Sequence, residues 1–283
     1  MFRKASDMQP YSEFTVNRNG DVTDDLVAEE APVAFEYNGI SHAVMLASPA
    51  DLEDFAFGFT LSEGIVESAA QIYDIDVDES AQGVVLKIEI ASECFSQLKH
   101  RRRKLMGKTG CGLCGIESLD QLATNHVPLP IRQTWPISAF WWGVGILEGS
   151  QDIWKLTGAT HAASCVSRCG KIAFLREDVG RHNALDKTLG AFARQAGSTE
   201  NWALLITSRA SYEMVSKAAK LGFTELAAVS APTAAAIRLA ESVNMHLYGF
   251  IRPGKYVQYS QAPTSTEFRS NFLTLVDQKR SSF

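Results

Sequence analysis

The sequence has no apolar run long enough to cross a bilayer. The strongest candidate, around Ala139 to Leu147, is too short and holds two glycines. The first thirty residues are polar and acidic and lack the apolar core of a signal peptide. Cysteine is scarce: five residues, an odd number, with no secretory signal, read as reduced thiols in a cytoplasmic protein rather than a disulfide framework. An excess of positive charge is also missing. The net charge of -5 argues against a general nucleic-acid binder, and nothing indicates a membrane partner. There is no Walker-type loop, no Rossmann glycine fingerprint, no internal repeat and no low-complexity segment. What remains is a globular chain of 283 residues, 46% hydrophobic and 21% charged, enough for one large domain or two ordinary ones.

Against that background one segment stands out, Thr109-Gly110-Cys111-Gly112-Leu113-Cys114-Gly115. It follows a basic stretch holding Lys99, Arg101, Arg102, Arg103, Lys104 and Lys108. A thiol reacts as thiolate, and nearby cations lower its pKa. The glycines leave the sulfurs unshielded, so two thiols in this setting suit sulfur or redox chemistry, or a metal, better than packing.

The rest of the chain divides in two. Residues 1–134 read as a smaller mixed α+β domain with the cysteine loop at 107–116. Pro32 to Tyr37 and His42 to Ala47 form a hairpin about Asn38-Gly39. Pro49-Ala50-Asp51 opens a helix carrying Leu52, Phe55, Phe59 and Leu61, and Val84 to Ile90 alternates as a strand. Asn125 to Pro136, with three prolines, is the boundary. Residues 135–283 read as an α/β domain. Helices are expected at Ile137 to Glu148, Asn183 to Gln195, Ser211 to Leu221 and Pro232 to Val243. Strands are expected at Lys171 to Leu175, Trp202 to Thr207, Glu225 to Val229 and, last, His246 to Ile251. Such alternation predicts a mostly parallel sheet with helices on both faces and ligands beyond the strands' carboxyl ends.

Polar clusters fall at those ends. Arg176 to Lys187, which includes Asp178, Arg181, His182 and Asn183, spans a strand-to-helix turn suited to an anion. Thr207-Ser208-Arg209-Ala210-Ser211, Ser230-Ala231-Pro232-Thr233 and Phe250-Ile251-Arg252-Pro253-Gly254-Lys255 follow at later strand exits. Gathered on one rim they make a pocket for a phosphorylated ligand. Cys165 and Cys169 supply a second cysteine pair, but Cys165 lies in an apolar segment, and no structural metal is expected. A zinc deaminase is excluded, because His161 is followed by Ala162 and Ala163 and the catalytic glutamate is missing.

Several of these motifs together resemble the FdhD family: Gly110 to Gly115, Glu177 to Lys187, Ser208 to Val215, Ser230 to Thr233 and Gly249 to Arg252, in that order. The resemblance runs from about residue 28 to 260, with one departure, Ala159 where the family usually has a second glycine before the step into His161. It implies a sulfurtransferase, a sulfur carrier for formate dehydrogenase maturation. The carrier takes sulfane sulfur from a cysteine desulfurase and passes it to the molybdenum cofactor in its bis(molybdopterin guanine dinucleotide) form, before insertion into formate dehydrogenase. Cys111 matches the persulfide cysteine and Cys114 its partner. Phe250, Ile251, Arg252, Pro253, Gly254 and Lys255 match the cofactor-binding stretch. The strand-end residues Asp178, Arg181, His182, Asn183 and Ser208 join that site, with GDP or GTP as a partial mimic. The resemblance also implies a homodimer and a cytidine deaminase-like C-terminal domain.

Two other functions fit the cysteines. A thiol-disulfide oxidoreductase would use the same pair, although glycines flanking both thiols are poor helix formers. A zinc-stabilised binding module would use all four. From the residues alone, Cys165 and Cys169 are expected to be structural, and the basic run is expected to serve thiol ionisation, partner docking or simply solvation.

Overall fold

The computed structural model describes residues 9–80, 82–106, 126–195 and 197–262. Cys111, Cys114 and Lys108 lie outside them.

Asn38 and Gly39 both take positive φ, 46° and 80°, which closes the hairpin between β3 (Ala31–Tyr37) and β4 (Ile40–Ala47). A second Asn-Gly step, Asn19-Gly20 with φ 57° and 102°, closes β1 (Tyr11–Arg18) on β2 (Asp21–Ala28). From the sequence alone no hairpin is assigned to this first pair of strands. The four-stranded sheet is ordered β4-β3-β6-β5, with β5 at Ile72–Ser80 and β6 at Gly83–Ile90, and β3 and β6 run parallel at its centre. Val33, Phe35 and Tyr37 alternate inward beside Leu86, Ile88 and Ile90. Helix α1 (Leu52–Ser62) covers that face with Phe55 and Phe59, whose rings lie 5.0 and 4.3 Å from Phe35. The basic run belongs to helix α2 (Ser92–Met106), anchored to the same core by Cys94 and Leu98.

The six-stranded sheet is ordered β12-β11-β10-β9-β7-β8. Its strands are β7 (His161–Val166), β8 (Ile172–Asp178), β9 (Ala203–Ile206), β10 (Glu225–Ala228), β11 (His246–Arg252) and β12 (Lys255–Ser260). Only β9 with β10 and β10 with β11 pair in parallel. The expectation of a mostly parallel sheet is therefore corrected to a mixed one. Short hairpins at Ser167 to Lys171 and at Pro253-Gly254 each add an antiparallel strand that the alternation pattern did not reveal, and His246 to Ile251 is not the last strand. Strands β8 to β11 still share one direction, so their carboxyl ends do gather on one rim.

Side-chain alternation sorts the two faces. Leu204, Ile206, Leu226, Ala228 and Leu247 pack beneath three helices, α5 (Arg181–Gln195), α6 (Tyr212–Lys220) and α7 (Ala234–Ser242). Ala203, Leu205, Ala227 and Tyr248 face helix α3 (Ile137–Ser150) through Phe140, Val144 and Leu147. A short helix α4 (Asp152–Thr157) follows. The segment 126–136 forms no helix or strand and is tied to the C-terminal half by Leu129, whose N–H donates to the Val243 carbonyl.

The two sheets are joined through α1 and α5. Both helices carry glycine where they cross, Gly58 and Gly190, and their backbones come into direct contact there.

Candidate functional site at the sheet rim

The rim at the ends of β8 to β11 is built from strand exits and helix starts. His161 pairs with Asp178 across β7 and β8, so the first residue of β7 sits beside the last of β8. The strand order reverses between β7 and β9, the kind of position where open α/β sheets leave a ligand crevice. Arg181 opens α5, and Ser211 stands before α6. Both helix N-termini thus face this end of the sheet.

Asp178 and Asn183 turn inward from this rim. Asp178 is fully buried. Its Oδ2 accepts the Ser48 N–H at 3.0 Å and pairs with Lys187 Nζ at 2.6 Å. Its Oδ1 accepts the Gly180 N–H at 2.7 Å and Asn183 Nδ2 at 3.0 Å. Asn183 also donates to the Leu46 carbonyl, and Lys187 to that of Ser48. These side chains bind the C-terminal half to β4 and the turn after it. Asp186 extends the same seam: it accepts from Ser62 and pairs with Lys217 at 2.9 Å, and Lys217 also reaches Glu63. Lys217, although buried, is held above the ordinary lysine pKa by Asp186 and Glu63, whose attraction outweighs desolvation. Asp54 of α1 adds Arg176 and Arg194.

Arg181 and His182 behave differently. Arg181 Nε, His182 Nε2 and Ser211 Oγ are buried atoms without a hydrogen-bond partner among the described residues. His182 Nε2 lies 3.2 Å from Glu213 Oε2 but out of hydrogen-bond alignment. Burial first, then the adjacent Arg181, lower the His182 pKa to about 4. His161 is lowered as well, by burial and then by Arg181 and Arg209. Two imidazoles whose protonation is disfavoured, with Arg181 acting on both and Arg209 on His161, make a patch at a helix N-terminus suited to an anion. Ser208 is buried beside it, its hydroxyl donating to the Arg209 carbonyl.

The stretch Phe250 to Lys255 lies at the other end of the rim. It forms the β11–β12 hairpin and lines a hollow of about 600 Å³ with Tyr256 and Val257. Phe250 is exposed and held at φ 52°, a conformation that costs a non-glycine residue about 1–3 kcal/mol. Gly249 before it has no room for a side chain, since a Cβ there would meet Pro232 and Tyr259 at 2.9 Å. Arg252 Nη1 donates to the carbonyls of Val229 and Ile251, which fixes the guanidinium over the rim. Ile251 points into the α3 core, and Pro253-Gly254 form the turn. Strands β7, β9 and β10 separate β8 from β11, about 19 Å at ordinary strand spacing. The sequence-predicted binding residues therefore fall into two groups on one rim.

Residues of the same motifs that the sequence did not assign to the binding site complete the rim. Glu177 accepts the N–H groups of Ile153 and Trp154 and the Thr160 hydroxyl, capping α4 and fixing the turn into His161. Glu213 and Arg209 flank the imidazoles. Nothing in the sequence placed Glu213 opposite His182, because the two lie on different helices.

Of the second cysteine pair, Cys165 is buried under the helices with its thiol pKa pushed up by desolvation, in agreement with a structural role. Cys169 departs from that expectation: it is exposed in the β7–β8 turn. Its thiol pKa is lowered by a hydrogen bond with Ser167, 3.2 Å away, and then by the Lys171 backbone. Among the described residues no group of three or more His, Cys, Asp and Glu is placed to hold a metal, and no helix is long and apolar enough to cross a membrane.

A model of the FdhD/NarQ family matches residues 28–265. The chain is 52% identical over 264 residues to the sulfur carrier protein FdhD of Cupriavidus necator, covering 90% of this chain and 91% of that one. It is 51% identical over 236 residues to the protein of the same name from Bordetella petrii, covering 83% and 85%. The fold is similar to the crystal structure of a formate dehydrogenase accessory protein from Desulfotalea psychrophila, with a TM-score of 0.68 over 88% of this chain and 96% of that chain. At 23% identity this is a likeness of fold alone.

Proposed function

The chain belongs to the FdhD/NarQ family, and we propose that it is a cytoplasmic sulfur carrier for formate dehydrogenase. Cys111 takes sulfane sulfur from a cysteine desulfurase as a persulfide, with Cys114 as its partner, and the sulfur passes to the molybdenum cofactor in its bis(guanine dinucleotide) form. The transfer is thiol exchange, in which a thiolate attacks the outer sulfur of another protein's persulfide. The glycines around Cys111 favour an accessible thiol, and the cations of α2 that precede it in the chain favour docking of the desulfurase. The cofactor is cargo here, and the rim residues bind and orient it.

The observation that carries this reading is the hollow at the β11–β12 hairpin. Exposed Phe250 and Tyr256 offer faces on which a guanine stacks. Arg252 and Lys255 stand beside them for phosphate, the charge-assisted contact that arginine makes well. Arg181, His182 and Ser208 serve the second nucleotide end of the same ligand. The antiparallel β7–β8 hairpin followed by three parallel strands supports a cytidine deaminase-like arrangement of the C-terminal half, and the active form is a homodimer.

The test is intact mass of the full chain after incubation with a desulfurase and cysteine, with and without reductant. Wild type gains sulfur mass that reductant removes, and Cys111→Ala gains none and fails to support formate dehydrogenase activity. Full sulfur loading of that variant overturns the assignment.

A further inference from the structure

Three buried polar side chains that the sulfur-carrier reading leaves unused lie beneath the connection 126–136. Glu225 opens β10, His246 stands directly opposite it on β11, and Tyr248 follows on the same strand; they are 0%, 2% and 3% exposed. His246 Nε2 is 3.9 Å from Glu225 Oε1, too far for a hydrogen bond. Glu225 Oε2 and both His246 ring nitrogens are buried with no aligned hydrogen-bond partner among the described residues, and the Tyr248 hydroxyl meets the Glu225 carboxyl as its side-chain partner, off ideal alignment. Such atoms are rare in a packed core and call for an explanation.

Glu225 Oε1 accepts the Trp135 amide N–H at 3.3 Å. Trp135 is the residue of the connection that covers the cluster, and it is itself 5% exposed. The Arg168 guanidinium lies 4.8 Å over its ring and also donates to the carbonyls of Gln133 and Thr134. From α3 the cluster meets the apolar ring of Phe140, and from β12 Tyr256 faces Tyr248. Among the described residues Arg168 is the cation acting on Glu225, and its effect is smaller than that of burial.

Among the described residues no cation contacts a carboxylate in this site, so its ionised form needs water. The β10 and β11 backbones are locked in a ladder with β9 and with each other. The connection forms no helix or strand and is held by single hydrogen bonds rather than a ladder, so it is the cover that lifts most cheaply. We propose that Glu225, His246 and Tyr248 form a proton-operated latch beneath Trp135, which holds the 126–136 connection while Glu225 is uncharged and loosens it when Glu225 ionises. Burial raises the Glu225 pKa to about 8, and the same burial keeps His246 neutral, so the two do not form an ion pair in that range. The ordinary carboxyl value is 4.5. The open form therefore gains on the closed form from that pH upward and stops gaining near 8. This inference stands apart from the sulfur chemistry and needs no ligand.

Amide hydrogen exchange on the full chain tests it, with rates corrected for the intrinsic pH dependence. Between pH 5.5 and 8 the protection of Trp135 and its neighbours should fall by up to tenfold per pH unit, then level off, while β9 amides such as Leu204 keep theirs. Glu225→Gln retains an acceptor for the Trp135 N–H and should make protection at 135 independent of pH. Three results each overturn the latch: flat protection at 135 in wild type, an equal fall at 135 and 204, or an unchanged slope in Glu225→Gln. A slope abolished by His246→Asn but retained in Glu225→Gln assigns the titration to the imidazole and equally defeats it.

Discussion

Gly58 of α1 and Gly190 of α5 meet with no space between their backbones. A Cβ on Gly58 would stand 1.7 Å from the Asp186 carbonyl oxygen, and one on Gly190 would stand 1.9 Å from that of Asp54. Real side chains never approach so closely, so either substitution must drive the helices apart. Gly58→Ala and Gly190→Ala should each destabilise the protein by about 1–3 kcal/mol or more, the usual cost of overpacking. Urea titration with an unchanged m-value checks this. A variant as stable as wild type would mean that the helices do not touch in solution.

Separation of these helices would strain the buried pairs that flank them. Lys187 and Asp178 are both fully buried and 2.6 Å apart. Lys187→Met leaves an uncompensated carboxylate and should cost about 3–5 kcal/mol. Adding Asp178→Asn should return part of that loss, and the double-mutant cycle measures how much.

At the rim, Arg252 and Arg181 lie at opposite ends and should separate in a nucleotide assay. Arg252→Ala should weaken GDP binding by roughly 1.5–3 kcal/mol, the scale of a hydrogen bond to a charged group. Arg181→Ala should leave GDP affinity at the hollow unchanged and weaken a second, separate GDP site at the other end of the rim. Calorimetry showing equal GDP affinity in wild type and Arg252→Ala would remove the hollow as the binding site.

His182 gives the acid side of the stability profile a definite shape. Its pKa is about 4 in the fold against an ordinary 6.5. As pH falls, the unfolded chain takes up the proton first. The stability contributed by the neutral imidazole is complete above 6.5 and is lost progressively down to about 4. His182→Gln should therefore flatten the fall in urea midpoint across that window. An identical acid limb in the variant would show that His182 titrates normally.

The cations carried by the sequence of α2 should leave a salt signature. Neutralising Arg101, Arg102 and Arg103 together should slow sulfur uptake from the desulfurase, most visibly at low salt, where screening beyond about 8–10 Å is weakest. Alkylation of Cys111 by a small uncharged reagent should keep its pH midpoint. Slower alkylation with a raised midpoint, and normal salt dependence of uptake, would assign the cations to thiolate stabilisation instead.

Much of the architecture could be read from local chemistry, and the failures were specific. Asn38-Gly39 announced its hairpin because alternating apolar residues flanked it. Asn19-Gly20 did not, because its strands expose Phe14, Val22 and Val27 and bury little. Strand β7 escaped because His161-Ala162-Ala163-Ser164-Cys165 is made of small residues with little strand preference, although most of them are buried. The rim followed correctly from the polar strand exits. The inward turn of Asp178 and Asn183 did not, because their partners Ser48 and Leu46 lie more than a hundred residues earlier in the chain. A motif dense in charge reads as a ligand site from sequence whether it faces a ligand or another part of the same chain.

The seam between the halves has a consequence for how the chain comes apart. The connection at 126–136 looks like a place to divide the protein, yet the energy does not divide there. A C-terminal piece alone would carry Asp178, Lys187, Asp186 and Lys217 to its surface stripped of Ser48, Ser62 and Glu63. An N-terminal piece alone would bare the face of α1 around Gly58. Neither half is a transplantable module. Scanning calorimetry should record one melting event with matching calorimetric and van't Hoff enthalpies, and a chain nicked within the connection should stay together as a two-part complex.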